Sequence, residues 1–170
     1  MKNMLKSVAA LFAVLILASS GVKAQKFAYI DLQELMVLMP EYKKAATHME
    51  AYNDTLKTAS DMMVKEFQKK VADYQNAEKT MPASVKEMKQ KDLQDMQNNI
   101  EGYQQKMQED LRNKQEELIK PIIEKAKNAI SAVAKEGGYS YVFDSSVAGL
   151  LYKPEGDNVM GKVKTKLGIL

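Results

Sequence analysis

The sequence predicts an α+β fold that is mainly α: a long antiparallel helical hairpin inserted into a small strand-containing body that self-associates. Three observations predict it. Apolar residues recur as Tyr42, Ala45, Met49, Tyr52, Leu56, Ala59 and Met63, in alternating steps of three and four, which is a heptad seam on one helix. Met81-Pro82 breaks that pattern, and a second periodic run follows from Val85 to Val133. Strand-forming runs lie near the two ends of the chain, at Lys26 to Asp31 and Tyr139 to Asp144.

Composition narrows the function classes. The chain has 170 residues, no Cys, no Trp and one His, so disulfide and thiol chemistry are excluded. Its net charge of +3 resides at the start, where Lys2, Lys6 and Lys23 stand among the first 24 residues without an acid. From Gln25 onward, 22 basic residues meet 22 acidic ones. Bulk charge therefore gives no case for nucleic acid or for an anionic membrane.

Lys2 and Lys6 precede an apolar run, Val8 to Ala18, with the length of a signal-peptide core. Val22-Lys23-Ala24 places small residues at −3 and −1 of a cut before Gln25, so residues 1–24 read as a cleaved signal peptide and the mature chain as exported. No Cys follows the run, which excludes a lipoprotein anchor, and no other segment is apolar enough to cross a membrane.

Each later element has its own signal. Phe27, Tyr29 and Ile30 favour a short strand. Asp31 with Glu34 is a capping box for a short helix, Leu32 to Leu38. Pro40 suits the first turn of the next helix, which the seam carries to about Lys79-Thr80. Beyond Met63 the seam steps lengthen to Phe67 and Val71, which locally unwinds a left-handed supercoil. Ser84 with Glu87 is a second capping box for the return helix. A turn near position 82 brings Glu41 level with about Ile123, beside Pro121, where a kink or hinge is expected. Gly137-Gly138 stops the helix. Tyr139 to Asp144 is a strand, Leu150 to Lys153 another that completes a hairpin with it, and Asp157 caps a last helix with Val159, Val163 and Leu167 on one face.

The expected organisation is a discontinuous body, 25–40 with 121–170, carrying a hairpin, 41–120, whose tip lies near 80–84. A body of about 65 residues is marginal for an independent core, and three short strands leave open edges. Self-association would relieve both. Catalytic signals are missing: the sequence has no Gly-rich phosphate loop, no Cys nucleophile and no paired-His metal motif. His48 reads as a plain surface residue and Asp144 as a strand-end turn capper, so no enzyme activity, cofactor or metal is expected.

The strand Phe27-Ala28-Tyr29-Ile30-Asp31, the proline-led helix at Pro40-Glu41, the long polar hairpin, Gly138-Tyr139-Ser140-Tyr141-Val142-Phe143-Asp144 and Leu150-Leu151-Tyr152 together resemble the Skp/OmpH family from Gln25 to Leu170. The resemblance implies a homotrimer in which strands from three subunits form a body and three helical tentacles enclose a cavity. It also implies an ATP-independent holdase that keeps unfolded outer-membrane proteins soluble in the periplasm. Some family members are strongly basic and linked to lipopolysaccharide or membranes. The balanced mature charge here departs from that pattern and weakens the case for such contact.

Methionine is flexible and polarizable, so it suits reversible contacts with varied apolar chains. Met62, Phe67, Tyr74, Met81, Met88, Leu93 and Met96 are the expected client contacts; Met62, Leu93 and Met96 fit the seam less well, and Met81 and Met88 lie near the tip. The competing reading of such residues is plain seam packing. Phe27, Tyr29, Ile30, Tyr141, Val142, Phe143, Leu150 and Leu151 are the expected trimerisation residues. The runner-up function is a coiled-coil spacer or adaptor of the envelope that binds a folded partner.

Overall fold

Strand β1 (Phe27–Ile30) opens the residues described by this computed structural model, 25–169. The expected signal peptide, 1–24, lies outside the described residues. The Asp31 carboxylate accepts the Glu34 amide at 2.8 Å and caps α1 (Leu32–Leu38), as its spacing predicts. Pro40 starts α2 (Pro40–Ala77), where its missing amide hydrogen costs nothing. A 3-10 turn, Glu78–Thr80, leads to the tip, and α3 (Ala83–Gly137) returns.

The second capping box does not form. Pro82 is the cap of α3, extended at ψ 150°, and its carbonyl accepts the Val85 and Lys86 amides while no side chain caps the helix. A proline fixed before the first turn sets the helix start two residues earlier than a Ser84 cap would. At the other end Gly138 adopts φ 66°, the left-handed conformation that a Cβ would strain. Its amide meets the Lys135 carbonyl while the Tyr139 amide meets that of Ala134, so the last carbonyls of α3 are satisfied.

Strand β2 (Tyr141–Asp144) pairs with β1 in parallel, Phe27 opposite Tyr141 and Ile30 opposite Asp144. Parallel strands need a long crossover, and here the entire helical hairpin is that crossover. The expected strand Leu150 to Lys153 is a correction: that segment has no regular structure and makes no hairpin with β2. It folds back instead, with Lys153 Nζ donating to Ser145 Oγ at 3.2 Å and lying 5.1 Å from the Tyr29 ring centre. Asn158 bridges Tyr29 in its place, and the Val159 amide donates to the Tyr29 carbonyl. A 3-10 turn, Glu155–Asp157, precedes α4 (Met160–Leu167). Asn158, not Asp157, supplies the side chain at its start, accepting the Met160 amide at 2.9 Å. Val159 and Val163 face inward as expected.

The buried core joins Ala28 and Ile30 of β1, Leu35 of α1, Met39, Ala45 of α2, Val159, Val163 of α4 and a stripe on the end of α3: Ile122, Ala126, Ala129 and Val133. Outward from there α2 and α3 run antiparallel. Lys125 pairs with Glu41 at the root, Tyr103 Oη donates to the Leu56 carbonyl at 3.4 Å, and Gln90 Nε2 donates to Tyr74 Oη at 2.8 Å near the tip. The root contact places Pro121, inside α3, beside Glu41 and Ala45, at the level the sequence predicts. With 38 residues α2 is about 57 Å long at 1.5 Å per residue.

Candidate functional site

The hairpin has a half-sealed seam. Every α2 position in the predicted seam from Tyr42 to Tyr74 is buried or half-buried, while Lys, Glu, Gln, Asn and Asp occupy most of the exposed faces. Yet between positions 46 and 121 no residue is fully buried. The cause is geometric: away from the body each helix has one neighbour, so water reaches both flanks of the seam. Apolar side chains are therefore held in place but remain accessible along some 50 Å of rod, on the order of 1.5 Å per residue.

The expected client contacts divide into two groups. Met62 and Met88 stand away from the seam, 65% and 54% exposed. Phe67, Tyr74, Met81, Leu93 and Met96 are half-buried in it. Leu93 and Met96 lie in line with Ile100 and Tyr103 at steps of three and four, and Met96 shares a surface cleft with Met63. Those two sit at the seam, although their spacing fits its heptad less well. Tyr74, Met81 and Leu93 line a second cleft near the tip, between Lys70, Asp73, Lys89 and Asp92. His48 is exposed at the root beside Lys43, Lys44 and Thr47. Among the described residues no group of three or more His, Cys, Asp or Glu is placed to hold a metal, and no helix is long and apolar enough to cross a membrane.

The body carries a separate apolar surface. Phe27, Tyr141 and Phe143 project from one face of the two-stranded sheet and remain 45%, 55% and 46% exposed. Phe27 stacks on its cross-strand partner Tyr141 at 5.9 Å between ring centres, and Phe143 lies 6.1 Å from Phe27. Leu151 is fully exposed, and Val147 and Tyr152 are exposed in the same connecting segment. Val147 and Tyr152 extend the surface expected at Leu151, and the apolar run around Leu150-Leu151 is their signal in the sequence. Other expected assembly residues are committed inside the protomer. Ile30 is in the core, Val142 packs against it from β2, and Tyr29 is covered by the segment that carries Lys153. Leu150 is half-buried in the cleft next to Phe27 and Phe143. Among the described residues β1 is flanked on both sides, by β2 and by the Asn158 bridge, whereas β2 pairs only with β1.

Two carboxylates tie these parts together. Burial raises the pKa of Asp144, but hydrogen bonds from Ser146 Oγ, the Ser146 amide and the Leu32 amide outweigh it and hold the group below the usual carboxylate value. Asp144 thus joins the end of β2 to the start of α1, in the turn-capping role that its position predicts. The hydrogen bond from Lys125 lowers the Glu41 pKa at the hairpin root.

Comparison with known proteins gives consistent results. The chaperone protein Skp of Yersinia enterocolitica is 26% identical over 138 residues, covering 81% of this chain and 84% of that protein. Skp of Pectobacterium atrosepticum is 26% identical over 140 residues, with the same coverage. The crystal structure of an OmpH-like protein from Caulobacter crescentus superposes with a TM-score of 0.72 over 86% of each chain; at 13% identity this is a likeness of fold. The family model described as outer membrane protein (OmpH-like) matches residues 26–167, and with the helix pair, the two-stranded sheet and that span in agreement, the chain belongs to the OmpH-like family.

Proposed function

We propose that this protein is an ATP-independent periplasmic holdase, which keeps unfolded outer-membrane proteins soluble in a cavity between the helical tentacles of a homotrimer. The family consists of chaperones rather than enzymes, and the relatives from Yersinia and Pectobacterium carry the name chaperone. The observation that carries the reading is the half-sealed seam: a long rod of accessible apolar side chains with no fully buried position between 46 and 121. An unfolded β-barrel chain needs many weak contacts and no fixed pocket, and flexible methionines at Met62, Met81, Met88 and Met96 suit that task. A spacer that binds one folded partner has no use for contacts spread in this way.

Trimerisation is supported by the aromatic face of Phe27, Tyr141 and Phe143, by Leu151, and by the outer edge of β2. Exposed aromatic clusters and unpaired strand edges are surfaces that natural proteins cover. Pro121 acts as a hinge between body and tentacle. The function is tested by diluting a urea-unfolded outer-membrane β-barrel protein into buffer without ATP and following light scattering. Stoichiometric trimer is expected to suppress aggregation. Undiminished aggregation, with the assembly intact by light-scattering mass, overturns the reading.

A further inference from the structure

Ten of the twelve methionines lie among the described residues. Met39 is fully buried in the body core, and seven others are half-buried. Met62 and Met88 alone among these ten are exposed. Both belong to the hairpin, and neither is part of the seam that holds α2 to α3. Met62 is level with about Ile100, judging from the Met63, Met96 and Ile100 cleft, so the two sites are about 18 Å apart along the rod, at 1.5 Å per residue.

We propose that Met62 and Met88 are reversible oxidation sites, through which hydrogen peroxide turns down the hairpin's hold on apolar chains. The effect on holding rests on the holdase reading above; the site selectivity does not. In the reaction with peroxide, the thioether sulfur attacks one oxygen of the O–O bond. An S–O bond forms, the O–O bond breaks, and water leaves; sulfur is oxidised by two electrons and the peroxide is reduced.

Three features direct that chemistry to these two side chains. The chain has no Cys, so no thiolate competes for the oxidant. Sulfur must be reached from solvent, and these thioethers are the open ones. Finally, the fold tolerates the product. A sulfoxide placed at Met39 or in the seam would put a polar group where packing is needed. At Met62 and Met88 it changes only the surface, replacing a flexible apolar contact with a polar one. Two contacts on one rod act on the same bound chain, so losing both weakens holding more than losing either.

Treatment of the intact protein with hydrogen peroxide, followed by peptide mass mapping, tests the selectivity. Met62 and Met88 are expected to gain one oxygen about tenfold faster than Met39, and ahead of the seam methionines. The helical circular dichroism stays unchanged, while suppression of β-barrel aggregation falls several-fold and returns after methionine sulfoxide reductases A and B are added together. In the M62L/M88L variant, the ratio of treated to untreated holding stays near one. Oxidation of Met39 or Met107 at the same rate as Met62 overturns the proposal. So does an equal loss of holding on treatment of M62L/M88L. If untreated protein holds no client, the holdase reading fails instead, and the mapping still decides the oxidation sites.

Discussion

Asp144→Ala removes the carboxylate whose Oδ1 closes the sheet onto the first helix. Asp144 Oδ1 accepts from the Leu32 amide at 3.2 Å, the Ser146 amide at 2.9 Å and Ser146 Oγ at 2.7 Å. A hydrogen bond to a charged group is worth about 1.5–3 kcal/mol, but Asp144 is only half-buried and Ser146 Oγ can turn to water, so the expected loss is about 2–3 kcal/mol in all. Asp144→Asn keeps an acceptor and loses the charge, which should cost about 1 kcal/mol. The pH dependence has a definite sign. The folded pKa lies below the unfolded one, so the charge contributes fully above the unfolded Asp value of about 3.9. That contribution fades as pH falls through the folded value. Hence the gap between wild type and Asp144→Asn should close in acid. Urea unfolding at fixed protein concentration, followed by near- and far-ultraviolet circular dichroism, measures these differences without a shift from assembly. An Asp144→Ala loss under about 0.5 kcal/mol, the range of ordinary surface substitutions, would refute the tie. A wild-type advantage over Asn that persists at every pH would refute the role of charge.

Two further outcomes follow from the division between body and hairpin. Val163→Ala empties part of a fully buried site and should cost about 2 kcal/mol, whereas Met88→Ala should stay within about 0.5 kcal/mol; equal losses in urea unfolding would mean that the tip is packed like the core. Pro121→Ala restores an amide that can donate to the Glu117 carbonyl, one turn earlier in α3, which stiffens the helix at the root and is expected to narrow tentacle spread in small-angle scattering. An unchanged scattering curve would remove the hinge.

Local periodicity made the hairpin legible. Residues at steps of three and four share a helix face whatever surrounds them, so Tyr42 through Tyr74 could be assigned inward from the sequence. Leu93 and Met96 are less legible, because the five-residue step after Met88 obscures their own steps to Ile100. Strand partners were not legible. Tyr141 to Asp144 reads as a strand from its composition, but nothing local says that it lies parallel to residues more than a hundred positions earlier. The run Leu150 to Lys153 has the composition of a strand but no strand partner in the protomer: Leu150 is half-buried beside Phe27 and Phe143, while Leu151 and Tyr152 stay exposed. Ser84 and Asp157 were plausible caps, displaced by Pro82 and Asn158 one or two positions away, a scale on which turn chemistry competes closely. Among the surface residues, Met62 could be found by its departure from the heptad, but the covering of Tyr29 could not, because it depends on a segment more than a hundred residues later.

The contrast between the two regions has one physical origin. In the body, β1, α1, the ends of α2 and α3, and α4 converge, so small residues such as Ala126 and Val163 are sealed from water. Along the hairpin only two cylinders meet, and two cylinders share a single line of contact. Larger side chains at the seam would widen that line without closing its flanks. A third helix would close them, and would also remove the accessible apolar surface along the rod. The hairpin therefore gives up local stability for reach and accessibility, and the burden of folding falls on the body. That body is small and keeps an aromatic face and a strand edge open. Covering those surfaces with copies of itself would place several half-sealed rods side by side, the arrangement in which a flexible chain could touch many of them at once.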